Sequence, residues 1–155
     1  MIFSDKNMKD AEQNSHSSKR KVAGVIVAHG HLADELLAAA EMVTGTITHI
    51  SAVSIGWHDD VDTAREELER ATANASQGGG VLLLTDMFGG RPMDFASMLI
   101  AEGEVEVVTG VNLPMVIKLA SQREEASLAE VARAVRDAGK EAIHVAGEIL
   151  TRKES

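Results

Sequence analysis

The chain has 155 residues, enough for one domain with a real core. Its net charge of −9 argues against general nucleic-acid binding and against docking on an anionic membrane, and the absence of cysteine excludes disulfides, thiolate metal sites and a Cys nucleophile. Aromatic residues make up only 3%, so Ala, Val, Leu, Ile and Met must build the core. No apolar run reaches the ~18 residues of a membrane-spanning helix, and the N-terminus lacks a signal-peptide core. A soluble, cytoplasmic protein is expected.

Residues 1–20 are mostly polar and show no sustained period, which predicts a disordered leader carrying a solvated His16. Residues 21–155 form the single predicted domain. "VAGVIVA" (Val22–Ala28) is a continuous apolar run, as in a strand covered on both faces. It stops at His29 and Gly30. A helix over Leu32–Val43 follows, with Leu32, Leu36, Leu37, Ala40 and Val43 on one stripe and Gly45 at its C-terminal end. "THISAVSI" (Thr48–Ile55) reads as a β-branched strand. "DDVDTAREELERATANAS" reads as an amphipathic helix whose acidic start suits the positive helix end. That explanation outweighs a metal site built from His58, Asp59 and Asp60. Trp57 precedes them as a half-buried loop residue or a docking residue.

"VLLLTD" (Val81–Asp86) is the most apolar strand. "FGG" then makes a tight loop, and Pro92 is placed to open the next helix. "EVEVVTG" (Glu104–Gly110) is a fourth strand. A short helix near Leu113–Ser121 and a longer one near Ser127–Ala138 follow. "KEAIHVAGEIL" (Lys140–Leu150) reads as a final edge strand. His49 falls inside the second strand and His144 inside this last one.

Strand alternating with helix implies a parallel sheet with helices on both faces, an open, doubly wound α/β domain. The flavodoxin-like strand order 2-1-3-4 makes the first and third strands neighbours. In such sheets the ligand crevice lies outside the carboxyl ends of the strands, where strand order reverses. His29 ends the first strand and Asp86 the third, so topology brings two residues far apart in sequence side by side. A carboxylate that accepts from one ring nitrogen fixes the tautomer and aims the other nitrogen's lone pair into the cleft. That nitrogen can act as a base, bind a metal or attack an electrophile. Gly89 and Gly90 let backbone approach a ligand, and a helix start after them offers free N–H groups to an anion. A nucleophilic histidine, an orienting aspartate and an anion cradle together suit phosphoryl transfer. With no nucleotide fingerprint and no expected cofactor, the phosphoryl donor would be a small molecule or another protein.

Here the sequence resembles the mannose-family IIA domain of the bacterial phosphoenolpyruvate:sugar phosphotransferase system (PTS). The resemblance rests on "VIVAHGHLADELLAAAEMVTG", "GVLLLTDMFGGRPMDFA" and "VVTGVNLPMVIKLA", three motifs in the right order that cover nearly everything after Lys21. It implies that His29 carries a phosphoryl group received from the phosphocarrier HPr and passed to a IIB domain, and that Asp86 is its hydrogen-bond partner. It also implies a homodimer in which the C-terminal strand pairs with the partner's sheet. No IIB segment follows in this sequence, so a separate IIB chain is the expected acceptor, with membrane association only through a transporter complex.

One departure stands out. The usual pattern is Gly-Gly-Ser-Pro, often followed by an Asn two residues later; this chain has Gly-Gly-Arg-Pro with Asp94. Arg91 either clamps the phosphoryl group or turns outward to a partner. The expected phosphate-binding set is Gly89, Gly90 and Arg91. Met87, Phe88, Asn112 and Met115 are the expected rim, with a loop-shaping role favoured for Asn112. His31, at the start of the first helix, is expected to be exposed. Two other functions share parts of this pattern. In a regulatory PTS module, the phosphorylation state of His29 would control a protein partner. In a metal-chelatase-like or hydrolytic protein, His29 would act as ligand or base; "HGH" permits this, but it leaves the glycine cradle without a role.

Overall fold

The computed structural model describes residues 21–56 and 59–152. The leader with His16, and Trp57 and His58, lie outside the described residues. In chain order the elements are β1 (Ala23–His29), α1 (Leu32–Thr44), β2 (Ile50–Ile55), α2 (Val61–Ala75), β3 (Val81–Thr85), α3 (Gly90–Ser97), β4 (Val105–Val108), α4 (Leu113–Ala120), α5 (Leu128–Glu141) and α6 (Ala146–Arg152).

The four strands form one parallel sheet in the order β2-β1-β3-β4. Alternation along the central strands divides the core in two. Ile26, Ala28, Leu82 and Leu84 pack with α1, α4 and α5, through residues such as Ala40, Leu119 and Val131. Val25, Val27, Val81 and Leu83 pack with α2 and α3, through Leu68, Phe95 and Ala96. Both faces of β1 and β3 are therefore covered, which is why they read as unbroken apolar runs. The connection from β1 runs to one side, through α1 to β2. The connection from β3 runs to the other, through α3 to β4. These diverging connections open a crevice above the carboxyl ends of β1 and β3.

Four details differ from the sequence reading. The second strand begins at Ile50, because His49 and the residues before it belong to the loop from α1. On α1 the buried positions are Ala33 and Ala40, with Leu36 and Leu37 half-buried; Leu32 and Val43 are exposed at its two ends. The third helix starts at Gly90, so Pro92 is its third residue. Proline is tolerated there because the first four N–H groups of a helix have no intrahelical acceptor. The largest difference is at the C-terminus. Lys140 and Glu141 end α5, and Ala146–Arg152 is helical rather than a strand. A strand needs a neighbour's N–H and C=O groups, and among the described residues no strand pairs with the segment. A helix satisfies its backbone locally instead. Ile143, Val145, Ile149 and Leu150 remain exposed.

Among the described residues, no helix is long and apolar enough to cross a membrane.

Candidate functional site

His29 is the last residue of β1, and Asp86 immediately follows β3. Because β1 and β3 pair in parallel register up to Val27 and Thr85, the two residues emerge side by side. The His29 backbone N–H donates to Asp86 Oδ2 at 3.0 Å, and ring Nδ1 lies 2.7 Å from the same oxygen. The Asp86 side chain is only 11% exposed, whereas that of His29 is 43% exposed. Partial burial pushes the Asp86 carboxyl up, but the backbone and ring hydrogen bonds from His29 and its charge outweigh this and hold it below its ordinary value. An ionised carboxylate only accepts, so the proton between the two groups belongs to Nδ1. In the neutral ring that arrangement leaves the lone pair on Nε2. Asp86 Oδ1 is buried without a partner among the described residues.

The ring's other neighbour is backbone. A Cβ on Gly90 would lie 3.0 Å from both Cε1 and Nε2 of His29. Gly89 and Gly90 have φ of 104° and 81°, in the left-handed region that glycine occupies without strain. The glycine pair thus turns the chain sharply from β3 into α3 and brings the start of α3 against the Cε1–Nε2 edge of the ring. The sequence suggested that these glycines make room for a ligand; Gly90 makes room first for His29 itself. An open cleft of about 460 Å³ adjoins the ring, lined by His29, Gly30, Ile55, Gly56, Gly90 and Arg91. A larger groove of about 1010 Å³ lies at the opposite end of the sheet, against Gly79, Gly103 and Ser127, away from this chemistry.

The expected rim divides. Met87 and Phe88 are exposed, Phe88 by 81%, at the mouth of the glycine turn. Met115 is a correction: it is buried in the core, with its sulfur and Cγ packed where a Cβ of Gly139 would be. It faces inward because α4 and α5 pack closely at that glycine. Asn112 is structural. Its Oδ1 accepts from Met115 N–H as the cap of α4, and its Nδ2 donates to the Gly139 carbonyl on α5.

Among the remaining candidates, His31 is exposed as the N-cap residue of α1 and makes no capping bond through its side chain. His49 is half-buried, with Nε2 3.3 Å from the Leu119 carbonyl. His144 is exposed in the α5–α6 connection. The acidic start of α2 is a helix cap: Asp60 accepts from the N–H and Oγ1 of Thr63. Among the described residues, no three His, Asp or Glu side chains are grouped closely enough to hold a metal ion. Sequence reasoning overlooked the bond from Ser54 Oγ to Asp34 Oδ2, which ties the start of α1 to the end of β2 beside the crevice. Only the spatial pairing of β1 with β2 reveals it.

The fold agrees with comparisons to known proteins. The family model EIIA-man, described as the PTS system fructose IIA component, matches residues 23–136. The mannose-specific PTS EIIAB component of Escherichia coli K12 is 31% identical over 124 residues, covering 79% of this chain. The chain spans only 38% of that two-part relative. The fructose-specific EIIA component of Bacillus subtilis is 27% identical over 130 residues, covering 83% of this chain and 89% of the relative. Among solved structures, the mannose/sorbose-specific IIA subunit from Enterococcus faecalis superposes with a TM-score of 0.72 at 28% identity, over 81% of this chain and 94% of that one. The EIIA component from Streptococcus agalactiae gives 0.74 at 23% identity, over 82% and 98% respectively, and so attests the fold. The chain belongs to the mannose-type EIIA family of the sugar phosphotransferase system.

Proposed function

We propose that this EIIA chain is a phosphocarrier whose His29 accepts a phosphoryl group at Nε2 from phospho-HPr and passes it to a separate IIB domain during sugar uptake. The observation that carries the reading is the 2.7 Å contact between His29 Nδ1 and Asp86, which leaves Nε2 as the free nucleophile beside an open cleft. The Nε2 lone pair attacks phosphorus. The phosphoramidate bond of the donor breaks, and its electron pair returns to the donor ring. The His29 ring becomes more positive, and the Asp86 carboxylate stabilises that charge. Reversal of the same step on a IIB acceptor frees the ring. Donor and acceptor bonds have similar transfer potential, so the site contributes positioning and charge complementarity above all.

The exposed Met87 and Phe88 supply an apolar landing surface for HPr beside the phosphorylated ring. The carrier works in the cytoplasm and meets the membrane only through its transporter complex. It acts as a homodimer, in which the C-terminal segment with Ile143, Val145, Ile149 and Leu150 covers the partner's sheet. The exposure of those side chains and the single neighbour of β4 support this arrangement.

The test is intact mass after incubation with phosphoenolpyruvate, enzyme I and HPr. The expected result is an acid-labile gain of one phosphoryl group, absent in His29→Ala and when HPr is omitted. No gain in the wild-type chain contradicts the reading. A gain that never leaves for a IIB domain supports the regulatory module instead.

A further inference from the structure

The charge around the His29 cleft does not balance once a phosphoryl group arrives. Carboxylates crowd this end of the sheet, among them Asp86 at the ring, Asp59 against the Gly56 backbone N–H, and Asp34 on Ser54. A phosphoryl group adds about −1.5 to −2 further charge at neutral pH. Gly30, Ile55, Gly56 and Gly90 contribute no side-chain charge to the cleft wall. The start of α3 is a weakened anion cradle, because Pro92 is its third residue and has no N–H to donate. Among the described residues, Arg91 is the one permanent cation lining the cleft.

Arg91 is also well placed to act. It follows Gly90, the residue packed against Nε2, so its backbone is fixed beside the reacting atom. Its side chain is exposed, and among the described residues no carboxylate forms an ion pair with it. A guanidinium offers two parallel N–H donors to a pair of phosphoryl oxygens.

We infer that Arg91 binds the phosphoryl group on phospho-His29 and thereby sets how firmly this chain holds it against return to the donor. The inference rests on the phosphocarrier reading and adds a determinant of its equilibrium. No bond beyond those of the transfer step forms or breaks: Arg91 remains protonated, and its N–H groups donate to oxygens that leave with the phosphorus. Its charge favours the dianion, so the second ionisation of the phosphoryl group falls to lower pH than it would without Arg91.

The test uses the full chain with HPr, enzyme I and a fixed ratio of phosphoenolpyruvate to pyruvate. The ratio of phospho-His29 to phospho-HPr is read at equilibrium for wild type, Arg91→Ala, Arg91→Ser and Arg91→Lys. We expect a fall of about tenfold in Arg91→Ala and Arg91→Ser, and an intermediate value in Arg91→Lys. Phosphorus NMR titration should show the second ionisation moving to higher pH in Arg91→Ala. Unchanged ratios and titrations overturn the inference, even if phosphorylation slows, because a change in rate alone assigns Arg91 to partner docking. A wild-type chain that never becomes phosphorylated fails the phosphocarrier reading itself, and the inference falls with it.

Discussion

Gly90 and the His29 ring are packed so closely that no side chain fits between them: a Cβ would sit 3.0 Å from Nε2. Gly89, one residue earlier, has a similarly positive φ but nothing within 4 Å of its Cβ position. The two glycines therefore separate strain from collision. Gly89→Ala and Gly90→Ala should each lose about 1–2 kcal/mol of stability to the left-handed backbone. Only Gly90→Ala displaces the ring, so its phosphorylation rate should fall at least ~10-fold while that of Gly89→Ala stays near wild type. Thermal unfolding and phosphoryl-transfer kinetics on the same two variants check this.

Asp86 holds the ring through one oxygen that accepts twice from His29. Asp86→Asn keeps an acceptor but loses the charge that stabilises the phosphorylated ring, and transfer should slow by roughly 10- to 100-fold. The same pair predicts a pH dependence of folding. The Asp86 carboxyl in the folded chain lies below its ordinary value of 3.8. Its contribution is therefore present above the ordinary value and disappears as pH falls through the lower folded one. Acid unfolding curves should show a shallower stability loss for Asp86→Asn than for wild type across that window.

The pairing of His29 with Asp86 was legible in the sequence because strand–helix alternation leaves few topologies, and parallel order 2-1-3-4 puts the first and third strands together. Features that depend on partners were not legible. "AIHVAGEIL" supports either a strand or a helix, and a strand requires a neighbouring edge that sequence period cannot supply. Met115 looked like a rim residue from its place after β4, but the absent side chain of Gly139, a helix away, draws it inward. Leu32 and Val43 fit the α1 stripe by spacing, yet they sit at helix ends beyond the reach of the sheet. The role of Gly90 was half legible. The turn chemistry was evident, but its contact with His29 needed coordinates.

Asn112 and Met115 hold α4 to α5 rather than touching the cleft. Asn112→Ala should destabilise the chain by about 1–2 kcal/mol through loss of the cap and the cross-helix bond. Met115→Ala should cost about 2–5 kcal/mol through the cavity it leaves. Below their unfolding temperatures, both should accept phosphoryl groups at close to the wild-type rate. Denaturant melts and initial rates measured side by side test the distinction.

The exposed apolar residues after Ala142 predict concentration-dependent assembly. Light scattering should give a dimer mass for the full chain and a monomer mass for a chain ending at Ala142. Equal masses for the two would remove the C-terminal segment from the interface. A shortened chain that stays folded should still be phosphorylated on His29, because none of the segment's described residues lines the cleft.

The central claim is that Asp86 occupies Nδ1 so that Nε2 takes the phosphoryl group. The most direct measurement is NMR of the phosphorylated chain with nitrogen-15 in its histidine rings, reading which ring nitrogen couples to phosphorus. The account predicts a single phosphohistidine, His29, with phosphorus on Nε2 and a protonated, hydrogen-bonded Nδ1. Coupling through Nδ1 of His29, or phosphorus on another histidine, would contradict it.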